Sequence, residues 1–80
     1  MERTEIMAQV QEIFRTVLKN QAVVLTEETT AEDVPGWDSL THVELIATIE
    51  KHFGIRFSIR EMLSWKTVGK MVDCVAKKIG

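Results

Sequence analysis

The sequence predicts an all-α fold, a small bundle of three main helices plus one short helix. Three observations carry this. Apolar residues recur at spacings of three and four in three separate segments, the mark of helices with one buried face. No segment alternates apolar and polar residues for long enough to build a sheet. Capping and helix-breaking residues fall at the segment ends. The 80 residues are read as one domain, and a hydrophobic fraction of 45% makes the chain globular rather than disordered.

The first helix is expected over about 4–19. Ile6, Val10, Ile13, Phe14 and Val17 share one face, and Thr4 is placed as its N-cap. Residues 20–37 read as a long loop. Thr26, Thr29, Thr30, Pro35 and Gly36 interrupt any helical pattern, and Pro35-Gly36 signals a turn. A loop this long in so small a domain is often functional. The second helix is expected over about 39–53, stopped by Gly54. Ile55-Arg56-Phe57 is short and extended. Ser58 and Glu61 then form a capping box, with Phe57 and Met62 at the positions of a hydrophobic staple, ahead of a short helix at about 59–63. The last helix starts near Thr67 and turns Val68, Val72, Val75 and Ile79 to the core.

Composition excludes several classes. A domain of this size buries only about 60% of its unfolded surface, so a deep catalytic cleft would consume much of its core. No apolar run approaches the ~20 residues of a membrane span, and residues 1–5 show no signal-peptide pattern. The cytoplasm is the expected compartment and a monomer the expected state. One cysteine excludes a disulfide framework and a cysteine-based zinc cluster. A net charge of −2 argues against nucleic acid. Its distribution is uneven: residues 1–50 carry −7 and residues 51–80 carry +5, an asymmetry that can steer partners.

The second helix is apolar on two sides. With Ser39 at 0° and 100° per residue, Leu45, Ile46, Ile49, Phe53 and His42 fall between about 240° and 340°. That is a core face. Val43, Ala47 and Leu40 form a second stripe at about 40° to 100°, flanked by Glu50, Lys51 and Glu44. A surface helix needs only one apolar face, so the second must meet the rest of the domain or a partner.

The segment Gly36-Trp37-Asp38-Ser39-Leu40 opens this helix. By residue type alone, Asp38 and Ser39 read as helix caps. The setting adds more: the serine lies mid-chain, after a long loop ending in Gly-Trp, at the head of a doubly apolar helix that ends in Phe53-Gly54-Ile55. Together with Val43-Glu44-Leu45-Ile46, this arrangement resembles the acyl carrier protein family, including its peptidyl and aminoacyl carrier relatives, over nearly the whole chain. The resemblance implies a non-enzymatic carrier whose Ser39 is esterified with 4′-phosphopantetheine, donated by coenzyme A through a phosphopantetheinyl transferase, with Asp38 as its acidic neighbour. It also implies partners that load and transfer acyl or aminoacyl groups. The second stripe, with Leu40, Val43, Glu44, Ala47, Glu50 and Lys51, is the expected docking surface. A phosphodiester fits the position, because a helix N-terminus offers free N–H groups and a favourable dipole.

The chain departs from the strongly acidic members of that family. Thr41, Lys51 and His52 stand where acids are frequent, and Arg60 lies in the short helix. This favours a dedicated carrier in a specialised pathway, such as secondary metabolism, polysaccharide acylation or aminoacyl transfer. The alternative from another class is an unmodified helical interaction module. Asp38, Ser39 and His42 superficially resemble a hydrolase triad, but neighbours at one helix start are poorly placed for one. His42 is expected to be partly buried and hydrogen-bonded to a loop, and His52 solvated. No metal site is expected. Cys74 reads as a partly exposed filler. Trp37 and Trp65 read as packing residues, and Trp37 could also shield the base of the arm.

Overall fold

The computed structural model describes residues 2–79; Met1 and Gly80 lie outside the described residues. Four α-helices appear in chain order: α1 (Arg3–Leu18), α2 (Ser39–Phe53), α3 (Ile59–Leu63) and α4 (Val68–Ile79), with no strand among the described residues. α1 packs against both α2 and α4. Ile6, Val10, Ile13 and Phe14 of α1 meet Leu45, Ile46 and Ile49 of α2 and Val68, Met71, Val72 and Val75 of α4 in one hydrophobic cluster. The three-and-four spacing thus places each helix's apolar face inward.

α1 begins earlier than its sequence signal. Glu2, not Thr4, occupies the N-cap position, without a side-chain cap bond, and Thr4 is an exposed residue within the helix. The cause is tertiary. The Arg3 guanidinium donates to the Glu27 carboxylate at 2.6 and 2.9 Å, to Asp73, and to the Gly69 carbonyl at 3.0 Å. These bonds tie the helix start to the following loop and to α4. The other end closes at Lys19, which takes the left-handed conformation at φ +54°.

The segment 20–37 is more ordered than a loop reading implies. A 3-10 turn spans Ala31–Asp33, and Val23, Leu25, Thr29 and Val34 are buried. The segment also satisfies the head of α4, whose first N–H groups have no partner within their own helix. Val68 N–H donates to the Thr29 carbonyl at 2.8 Å and Gly69 N–H to the Glu27 carbonyl at 3.0 Å.

α2 and α3 occupy the spans their sequence signals mark. Gly54 closes α2 at φ +68°. At α3 the capping box is complete: Glu61 N–H donates to Ser58 Oγ at 3.1 Å, and Ser58 N–H donates to the Glu61 carboxylate at 2.7 Å. Glu61 also pairs with Lys78 at 3.0 Å and holds α3 to α4. These donors, the Ser58 N–H first, draw its carboxyl pKa from 4.5 to about 2.

Candidate functional site

The approach to α2 is a tight turn. Pro35 and Gly36 occupy its centre, Gly36 at φ +86°, and Trp37 N–H donates to the Val34 carbonyl at 3.2 Å. Positive φ at the third turn position favours glycine. Trp37 then anchors the chain. Its ring meets Phe14 edge-on at 4.8 Å, and its indole N–H donates to His42 Nδ1 at 3.0 Å.

Asp38 caps α2. Its carboxylate accepts Leu40 N–H at 2.9 Å and Thr41 N–H at 3.0 Å. Thr41 Oγ1 accepts Asp38 N–H at 2.8 Å and donates to the Gly36 carbonyl at 2.7 Å. These donors, the Thr41 N–H foremost, hold the Asp38 carboxyl below its ordinary range. The two cap candidates are therefore separated. Ser39 is the exposed first residue of α2, and its hydroxyl makes no hydrogen bond among the described residues. It carries no structural duty that would occupy its oxygen.

The arrangement also differs from a free N–H cage. Asp38 takes two of the N–H groups that an anion at Ser39 would use. Nor is there a triad: His42 Nδ1 is committed to Trp37, and Asp38 to the backbone.

Burial lowers the His42 pKa from its ordinary 6.5, because the charged ring is poorly solvated there. The unfolded chain then binds a proton more readily than the folded one. Stability is full above about pH 6.5 and is lost as pH falls through the folded pKa. Denaturant midpoints should fall between pH 7.5 and about 5.5, and His42→Gln should flatten that slope. The Glu61 loss begins only as pH falls below about 4.5, so the two windows are distinct.

The two stripes of α2 part as the wheel places them. Leu45 and Ile49 are fully buried, whereas Leu40 is 78% and Val43 65% exposed. Ala47, Glu44 and Lys51 are exposed as well. Glu50 is half-buried, and its carboxylate accepts Phe57 N–H at 2.8 Å, which fixes the α2–α3 connection. The sequence reading missed Ile59 and Leu63 of α3, which are 72% and 79% exposed. Their signal was an apolar residue at each end of a helix too short to bury both. Val43, Ala47 and Met62 line one shallow groove, which joins the exposed face of α2 to α3.

The remaining candidates are structural. His52 is exposed, as its sequence setting implies, and its Nε2 also lies 2.7 Å from Gln9 Oε1, which ties α2 to α1. Cys74 Sγ lies 3.4 Å from Glu61 Oε2, and burial first, then that carboxylate, raises its thiol pKa. A thiol so placed is a poor nucleophile. Trp65 meets Phe57 edge-on at 4.7 Å. No His, Cys, Asp or Glu cluster suited to a metal occurs among the described residues, and no described helix is long and apolar enough to cross a membrane.

Residues 8–75 match the phosphopantetheine attachment site family. The chain is 33% identical over 78 residues to an acyl carrier protein of Thermotoga maritima, covering 98% of this chain and 96% of that protein. It is 34% identical over 80 residues to an acyl carrier protein of Thermosynechococcus vestitus, covering 99% and 98%. The solution structure of a holo acyl carrier protein from Geobacter metallireducens superposes with a TM-score of 0.88 at 40% identity, over 92% of this chain and 85% of that one. The chain belongs to the acyl carrier protein family, whose members bear covalent 4′-phosphopantetheine and are carriers rather than catalysts.

Proposed function

We propose that Ser39 is the residue esterified with 4′-phosphopantetheine and that Leu40, Val43 and Ala47, bordered by Glu44, Glu50 and Lys51, form the face that partner enzymes dock on. The chain acts as one domain, a monomeric cytoplasmic carrier without catalysis of its own. The terminal thiol of the arm supplies the thioester linkage to the acyl group. The protein supplies position. Asp38 holds the first turn of α2 and frees Ser39 from capping, while Trp37 fixes the preceding turn on Phe14. Tethering then keeps the acyl group at high effective concentration before each partner. The presence of Lys51, His52 and Arg60 favours a dedicated pathway over general fatty-acid synthesis.

The observation that carries this reading is the exposed Ser39 hydroxyl, free of hydrogen bonds among the described residues beside a cap made by Asp38 and Thr41. Intact mass after incubation with coenzyme A and a promiscuous phosphopantetheinyl transferase should show one added phosphopantetheinyl group. Ser39→Ala should show none and should melt within about 0.5 kcal/mol of the parent, as a surface change with no lost bond. Modification persisting in Ser39→Ala would overturn the assignment. An unmodified interaction module would gain no mass in either form. Loading assays with acyl- and aminoacyl-activating enzymes then separate an acyl carrier from an aminoacyl one.

A further inference from the structure

A phosphodiester at Ser39 brings a permanent negative charge to a place with few donors left. Asp38 accepts the Leu40 and Thr41 N–H groups and adds a like charge next to the site. The His42 N–H is spent on the Asp38 carbonyl at 2.8 Å. The positive end of α2 is thus largely neutralised before any phosphate arrives. An anion there would be favoured by a cation from elsewhere in the fold.

One stands across a groove. Ser39, Asp38, Trp37, His42, Trp65 and Lys66 line an open cleft of about 320 Å³ between the head of α2 and the α3–α4 connection. Lys66 is exposed and has no carboxylate partner among the described residues, whereas Arg15 and Lys78 each pair with one and Arg3 with two. Ala31 and three aromatic rings complete the lining. Trp37 and Trp65 are the only two tryptophans of the chain, and His42 stands between them, 5.9 Å from one ring and 6.3 Å from the other. Because His42 Nδ1 accepts the Trp37 indole proton, the neutral ring carries its own proton on Nε2. The cleft therefore combines one unpaired cation, apolar ring surface and a neutral N–H donor. The phosphate end of a phosphopantetheine offers the matching set: a phosphodiester, a geminal dimethyl carbon, then a hydroxyl and amide carbonyls.

We propose that this groove seats the phosphate end of the arm, with Lys66 as the counter-charge to the phosphodiester and the Trp65 and Trp37 rings packing the geminal methyl groups. The proposal rests on Ser39 as the attachment residue. The seat holds the base of the arm against α2 and leaves its thiol end to swing toward partners. Lys66 also relieves the repulsion that Asp38 exerts on the phosphate.

The test uses isotope-labelled holo protein, with attachment read first by intact mass. Nuclear Overhauser cross-peaks are expected between the geminal methyls of the arm and the indole protons of Trp65 or Trp37. Lys66→Gln should lower the ratio of seated to free arm by roughly 1.5- to 5-fold, the range of an exposed ion pair. Lys66→Arg should retain it, and high salt should weaken it in the parent. Amide spectra of the variants establish that the fold is kept. Holo protein of the correct mass without methyl–indole cross-peaks overturns the seat alone. So do cross-peaks that Lys66→Gln leaves unchanged. A chain that gains no mass overturns attachment and seat together.

Discussion

Ile46→Glu is expected to unfold the bundle, while Val43→Glu stays folded and is modified more slowly. Ile46 is 6% exposed and belongs to the cluster shared with α1 and α4. A carboxylate there loses the burial of the isoleucine, worth about 1.5–3 kcal/mol, and meets an unpaired-ion penalty of several kcal/mol more. The total stability of a domain this size is roughly 4–12 kcal/mol. The substitution removes most of it. Val43 lies three residues earlier on the same helix but is 65% exposed, so its replacement keeps the ion in water. A transferase docking on the Leu40–Val43–Ala47 face would have to desolvate that ion. Thermal melts and the rate of phosphopantetheinyl transfer, measured on both variants, check this. Joint unfolding would place Val43 in the core and move the docking face elsewhere.

Gly69→Ala should lower the melting temperature by roughly 5–15 °C, against the usual sign. In most helices this change stabilises by about 0.5–1 kcal/mol, because alanine has less backbone freedom to lose. Here a Cβ would stand 2.7 Å from the Glu27 carbonyl oxygen and 2.7 Å from its carboxylate. The carbonyl accepts Gly69 N–H, and the carboxylate is bound to Arg3, so neither yields cheaply. Overpacking of this kind costs about 1–3 kcal/mol, and each kcal/mol moves the midpoint by roughly 4–8 °C in a domain this small. Calorimetry of the two proteins decides the matter. A higher midpoint for the alanine variant would mean that the segment 20–37 is not clamped onto α4 as described.

Gly69 also marks the limit of sequence reading. In the sequence it is an isolated glycine within the periodic apolar pattern of α4, with nothing to say that Glu27 lies against it. The placements of α2 and α3 were legible because their signals are local. Asp38, Gly54, Ser58 and Glu61 act on backbone groups within a few residues of themselves, and Leu45, Ile46 and Ile49 align through the helix repeat. The separation of α2 into a buried and an open stripe was legible for the same reason: its angles follow from 3.6 residues per turn.

The start of α1 was misplaced because Arg3 is held by Glu27, Asp73 and Gly69, contacts that leave no periodic trace. The order within 20–37 was invisible for a related reason. Val23, Leu25 and Val34 are buried at irregular spacing, and Thr29 serves α4 through its carbonyl, a group every residue has. Of Asp38 and Ser39, residue type allowed either to cap, and only the folded geometry assigned both N–H groups to Asp38 and left the serine free. The placing of Lys66 on the same cleft as Ser39 is of the same kind. Patterns within one turn of helix determined the elements and the motif. The packing of distant segments decided which groups were already bonded when those elements met, and hence which remained open for chemistry.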